Sequence, residues 1–190
     1  MMDKILYAGI DPGVYTTTLS ILDSSCNLVV YLQVYNSEDE YPRIKKENRK
    51  KGQREYDPVP EQIAIDHREF MLAVLDTYNL SGVVAEKMDW SASNSDTQGY
   101  VHHNRGIIHA ACIEKAVPFF MISPQQIKKA ASGKGNAGKD EVVDAIFEKY
   151  GSFFPSHKYL KKNNHIADSI GAAIWLVADQ LNYLDDDSGY

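Results

Sequence analysis

Three short apolar runs separated by tight polar breaks open the chain. Residues 4–10, 15–23 and 26–34 are rich in β-branched and aromatic side chains, and Asp11-Pro12-Gly13 and Asp23-Ser24-Ser25 supply turn chemistry between them. Runs joined so tightly predict an antiparallel meander. Residues 36–60 then lose all periodicity, and Pro42, Pro58 and Pro60 mark them as one long loop. From Glu61 the period becomes helical, with Ile63, His67, Phe70, Val74 and Tyr78 on one face and Asn79 and Gly82 as stops.

Gly82-Val83-Val84-Ala85 is apolar without alternation, as a strand buried on both faces of a parallel pair requires, and it ends in Glu86. Residues 87–98 form a polar loop carrying Met88 and Trp90. The helix that follows, to about Lys115, has Val101, Ile108 and Cys112 on one stripe with Ile107 and Ala111 beside it. Pro118-Phe119-Phe120-Met121-Ile122 is a further buried strand, and Ser123-Pro124 supplies the N-cap and first residue of a short helix. A glycine-rich basic loop, 133–139, leads into a helix with Val142, Val143, Ile146, Phe147 and Tyr150, stopped by Gly151. The last helix starts near Asn163 and turns Ile166, Ile170, Ile174, Val177 and Leu181 inward. The order β-β-β-α-β-α-β, then helices, predicts an α/β fold with a mixed sheet.

Composition narrows the class. With 190 residues, 44% hydrophobic and 24% charged, the chain reads as one soluble globular domain, residues 1–184, with an acidic tail at 185–190 around Asp185-Asp186-Asp187. The absence of a membrane-length apolar run or a signal-type start predicts a cytoplasmic protein with no membrane partner. Cys26 and Cys112 are too few and too far apart for a disulfide framework or a zinc site, so both read as reduced, packed thiols. The net charge of −6 hides a segregation. Arg43, Lys45, Lys46, Arg49, Lys50, Lys51 and Arg54 crowd one loop against a single acid, Glu47. Lys128, Lys129, Lys134 and Lys139 form a second basic stretch, and Lys158, Lys161 and Lys162 a third. Basic runs beside carboxylates at strand and helix ends point to phosphate contacts.

Four polar positions stand out. Asp11 and Glu86 terminate strands, and a lone carboxylate there needs a partner, often a metal. His165 and Asp168 share one face of a helix's first turn through their i,i+3 spacing. If Asp11 and Glu86 end adjacent strands, a helix across those ends completes a cluster of three carboxylates and an imidazole. Such a donor set suits magnesium or manganese. Lys139, a cation at a helix start, is placed against the helix dipole, which favours a functional role. Trp175 reads as packing, Trp90 as a loop anchor that is also a candidate DNA contact, and His102, His103 and His109 as polar residues of a subunit interface.

The matches Gly9-Ile10-Asp11-Pro12-Gly13, Ala85-Glu86, Pro124-Gln125-Gln126-Ile127-Lys128-Lys129, Gly133-Lys134-Gly135-Asn136-Ala137-Gly138-Lys139 and His165-Ile166-Ala167-Asp168-Ser169-Ile170-Gly171-Ala172-Ala173 occur in one order along nearly the whole chain. In them the sequence resembles the RuvC-type Holliday-junction resolvases of the RNase H-like superfamily. The resemblance implies that fold, with Asp11, Glu86, His165 and Asp168 as active-site metal ligands and Lys128 and Lys139 facing phosphate. It departs from the family at His165, where some members carry Asp, and after Glu86, where the family's aromatic finds only Trp90 as its nearest candidate. The long basic loop resembles that of a phage-type member.

The expected protein is thus a homodimeric DNA endonuclease. It would resolve four-way junctions by paired hydrolytic nicks that leave 5′-phosphate and 3′-hydroxyl ends. Two magnesium ions per active site, with manganese as substitute, would activate the attacking water and steady the leaving oxygen. Lys128, Lys129, Lys134, Lys45, Lys46, Arg49, Lys50, Lys51 and Trp90 would contact DNA. The helix from about Ser95 to Lys115, with its Val101-Ile108-Cys112 stripe, would form the dimer contact. Rival readings are an RNase H-like nuclease acting on R-loops or other branched nucleic acids, a junction-binding protein without catalysis, and an actin-like ATPase, for whose second domain the chain is too short.

Overall fold

The computed structural model describes residues 4–13, 16–35, 61–87 and 95–187. The basic segment 36–60, with Lys45, Lys46, Arg49, Lys50 and Lys51, lies outside them, as does Trp90. Five strands form one sheet: β1 (Leu6–Pro12), β2 (Thr16–Asp23), β3 (Leu28–Tyr35), β4 (Leu80–Glu86) and β5 (Phe119–Ile122). Their spatial order is β3-β2-β1-β4-β5. The first three run antiparallel, as the short turns dictate, and β4 and β5 add in parallel after helical crossovers.

Both faces of the sheet are covered, which is why β1 and β4 lack polar alternation. On one face Ala8, Ile10, Leu19, Ile21, Val83 and Ala85 pack under α1 (Glu61–Thr77) and α2 (Ser95–Glu114). On the other, Tyr7, Leu22, Val84 and Ile122 meet α3 (Pro124–Ser132), α4 (Lys139–Tyr150), α5 (His157–Lys162) and α6 (Asn164–Asp187). Each fully buried Ile or Leu contributes about 1.5–3 kcal/mol. Residues such as Ile10, Leu19, Ile21, Ile166 and Ile170 therefore fix the register of this three-layer arrangement.

Local chemistry sets the ends. Asp23 stays in the β2–β3 turn and accepts from the backbone N–H groups of Ser25 and Asn27 at 3.0 and 2.9 Å. Ser123 caps α3 in a reciprocal capping box with Gln126, and Pro124 follows as the sequence predicts. Gly133 closes that helix at φ 79°, a conformation that favours glycine. α5 has no counterpart in the sequence reading: it is too short to show a helical period, and it is held by Ser156 as cap and by fully buried Leu160. α6 runs on to Asp187, past the boundary expected at residue 184.

Two expectations need correcting. The Ile108–Cys112 stripe of α2 does not face a partner: both side chains are fully buried beneath the protein's own sheet, with Ala111 beside them. His109, exposed on the same helix, stacks its ring on Phe119 of β5 with centroids 4.6 Å apart. On α6, Leu181 is exposed, while Ile166, Ile170 and Val177 are buried as expected and are joined by Ala172, Ala173 and Leu176. Both cysteines are free, and burial pushes the Cys112 thiol up to about 12, which leaves it unreactive. No helix among the described residues is long and apolar enough to cross a membrane.

The small residues on α6 have a purpose. A Cβ at Gly9 would lie 2.1 Å from the Ser169 carbonyl oxygen and 2.3 Å from the Ala173 nitrogen. The helix backbone thus rests directly on β1, and neither atom can swing away. Gly9→Ala is expected to force the two elements apart and to cost about 2 kcal/mol or more in urea denaturation, at the upper end of overpacking penalties. An unchanged midpoint would show that this contact is looser than described.

Candidate metal centre

Asp11 is the penultimate residue of β1, and the parallel ladder between β1 and β4 ends one step earlier, at the Ile10–Ala85 pair. Glu86 occupies the next position on β4, so the two carboxylates leave neighbouring strand ends. Because α6 lies on β1, its first turn hangs over them. His165 Nδ1 is 2.5 Å from Asp11 Oδ2, and Asp168 follows one turn later. Among the described residues Asp11, His165 and Asp168 form a group able to hold a metal ion, with one ligand atom from each, all within 4.8 Å of one another. Glu86 stands outside that tight group but within its field.

The electrostatics are those of crowded, partly buried carboxylates. Burial, then the charges of Asp11 and Asp168, push Glu86 up to about 7. Burial, then the charge of Asp11, push Asp168 up to about 6. The hydrogen bond that His165 donates to the Asp11 carboxylate raises the imidazole above its ordinary value. Two lysines oppose the crowding: Lys139, the first residue of α4, and Lys128, half-buried on α3, both lower Glu86 and Asp168. The donor set of carboxylate oxygens and one imidazole fits a divalent magnesium- or manganese-type ion.

Of the predicted site residues, Asp11, His165 and Asp168 come together, with Glu86, Lys128 and Lys139 near enough for their charges to act on one another. The structure does not bring all the candidate DNA contacts to the centre. Lys134 is paired with Glu141 at 3.5 Å, and Lys129 lies exposed in the last turn of α3. The histidines of α2 form no metal group among the described residues: His102 contacts Arg105, and His103 points outward.

Two residues next to the site escaped the sequence reading. Asn104 Nδ2 donates to the Gly13 carbonyl at 2.8 Å, and Arg105 Nη1 donates to the Glu86 carbonyl at 3.0 Å. Both are buried, and they occupy the inward phase of α2 between Val101 and Ile108. Polar residues at a buried helical phase were the available signal. A third polar contact, Ser20 Oγ to Ser169 Oγ at 2.7 Å, ties β2 to α6 inside the core.

A carboxyl whose folded-state pKa lies above its unfolded value binds its proton more tightly when folded. That contribution favours the fold below about pH 4 and is lost as pH rises. For Asp168 the loss runs through about 6, and for Glu86 through about 7. Glu86→Gln and Asp168→Asn are therefore expected to stabilise the metal-free protein at pH 8 by roughly 1–3 kcal/mol each, and to do little at pH 4. Urea denaturation with a chelator at both pH values measures this. Equal or lower stability of the variants at pH 8 would mean that the carboxylates are not strained by one another.

The family described as crossover junction endodeoxyribonuclease RuvC matches residues 7–174. A RuvC of Thermotoga maritima is 27% identical over 145 residues, covering 76% of this chain and 77% of its own. A RuvC of Finegoldia magna is 24% identical across 94% of this chain and 96% of its own. Among solved structures, RuvC from Thermus thermophilus in complex with a Holliday junction substrate superposes with a TM-score of 0.65 at 22% identity, over 90% of this chain and 92% of that one. The yeast mitochondrial Holliday junction resolvase superposes at 0.56 and 15% identity, over 93% and 79%. The sheet order, the helices on both faces and the match along most of the chain agree: this chain belongs to the RuvC family of crossover junction endodeoxyribonucleases, the Holliday-junction resolvases with an RNase H-like fold.

Proposed function

We propose that the protein cuts four-way DNA junctions by paired, metal-dependent hydrolysis, leaving 5′-phosphate and 3′-hydroxyl ends, with Asp11, Glu86, His165 and Asp168 as its metal ligands. The observation that carries this is the meeting of Asp11, His165 and Asp168, which are 154 residues apart at the His165–Asp11 contact, around one point beside Glu86. Two divalent ions there, magnesium with manganese as substitute, would supply activation of water and stabilisation of the leaving oxygen. The side chains present the oxygens and one ring nitrogen, which must shed its proton to ligate. Lys139 and Lys128 extend positive potential over the carboxylates and offer it to a scissile phosphate, without which the acidic centre would repel DNA. Lys129 and Lys134 continue that basic surface. Lys45, Lys46, Arg49, Lys50, Lys51 and Trp90 stay candidate DNA contacts on sequence grounds alone.

The test is a labelled four-way junction incubated with the protein, with and without magnesium or manganese. Paired symmetric nicks are expected only with metal. Asp11→Asn is expected to lower cutting at least a hundredfold while junction binding without metal stays intact, because the substitution removes ligand charge and no phosphate contact. Cutting in chelator, or binding lost in parallel with cutting, would sink the reading.

A homodimer fits a substrate with two equivalent strands to nick. With Ile108 and Cys112 spent on the core, the face of α2 open to a partner is the opposite one. Gly99, His103, Gly106, Ala110 and Ile113 are all exposed and recur at helical spacing, and open space surrounds both glycines. Small residues there would let two copies of α2 approach closely. Ala110→Glu is expected to give folded monomers in sedimentation that nick one strand at a time. A wild type that sediments as a monomer with and without junction DNA would defeat the proposal.

A further inference from the structure

The hydrogen-bonding ladder between β1 and β4 ends at the Ile10–Ala85 pair, and the acidic side chains begin at the next residue of each strand. Beyond that point nothing in the sheet holds the two ends at a fixed spacing. On their outer sides they still pair, Asp11 with Thr18 and Glu86 with Ile122, but not with each other. Carboxylate side chains leave both strand ends at this gap, Asp11 from one and Glu86 from the other, and two such charges repel. Repulsion would splay the ends unless another element held them.

Two adjacent residues of α2 are placed to do so. Asn104 Nδ2 reaches the Gly13 carbonyl, two residues past Asp11, at 2.8 Å. Arg105 Nη1 reaches the carbonyl of Glu86 itself at 3.0 Å, and its Nη2 meets His102 Nδ1. Asn104 is fully buried and Arg105 only 9% exposed, so neither is a loose surface contact. Burying a guanidinium is costly, and the negative charge of Glu86 offsets part of that cost. The Arg fork is planar and always charged, so it fixes a direction as well as a distance. Asn104 and Arg105 are anchored through Ile108, Ala111 and Cys112, the part of α2 that packs on the sheet.

We propose that Asn104 and Arg105 are positioning residues that set the spacing of Asp11 and Glu86, and thereby the affinity of the centre for a divalent ion. This rests on the metal-site reading above.

The test uses the whole 190-residue chain without DNA. Manganese binding is measured by calorimetry, together with the rise in melting temperature that manganese produces. Asn104→Ala and Arg105→Gln are each expected to raise the dissociation constant about tenfold or more, as losses of groups that orient metal ligands do, and to shrink the metal-induced rise in melting temperature. Arg105→Lys keeps the charge but loses the fork, and is expected to bind as weakly as Arg105→Gln. Circular dichroism and metal-free melting curves identify any variant that fails to fold. If Arg105→Gln does fail, Asn104→Ala decides. Lower metal-free stability with unchanged manganese affinity in both variants would reduce the pair to scaffold and overturn the inference. Full rescue by Lys would also overturn it, in favour of simple charge. A wild type that binds no manganese would bring down the metal-site reading itself, a result distinct from either.

Discussion

A glycine without a side chain lets the backbone of α6 lie directly on β1, and the geometry of the acidic centre follows from that contact. Gly9 is two residues before Asp11, and its would-be Cβ position is already taken by the backbone of Ser169 and Ala173. At that separation the first turn of α6 can only project over the end of β1, which brings His165 onto Asp11. A bulkier residue would lift the helix, and the two halves of the ligand set would part. The Ser20–Ser169 hydrogen bond fastens the same helix to the next strand, so α6 is fixed in both translation and rotation.

Holding carboxylates so close works against folding. Burial and mutual repulsion leave Glu86 and Asp168 protonated well above the usual carboxylate range. The protein meets this with cations set beside the centre, Lys128 and Lys139. The placement of Lys139 at the start of α4, unfavourable for the helix dipole, makes sense only in this light. The helix recovers its own N-terminal chemistry from Asp140 and Glu141, the latter returning to the Gly138 N–H at 2.8 Å. An overall charge of −6 therefore says little about what the centre presents to a phosphate.

Much of the architecture was legible along the chain because it rests on local rules. Tight turns made the meander, unalternating apolar runs marked β4 and β5, and Ser123-Pro124 announced α3. The four ligand candidates were legible as chemical anomalies, carboxylates and an imidazole where packing alone would not place them. What stayed hidden were features too short or too polar to leave a period. α5 spans six residues, and Asn104 and Arg105 interrupt an apolar stripe, so they read as noise in it.

The amino-acid sequence by itself determined which residues could do chemistry, and the order in which strands and helices form, since both follow from residue type and from interactions within a few positions. Only the tertiary structure decided what each face meets. A hydrophobic stripe states that α2 must be covered, but whether its cover is a second subunit or its own sheet depends on contacts far away in sequence. Here the sheet claims Ile108 and Cys112. The same holds for the hydrogen bond from His165 to Asp11, for the close approach at Gly9, and for the link from Arg105 to the end of β4. Each joins distant segments whose spacing is set by the packing of whole elements, a quantity that no local pattern encodes.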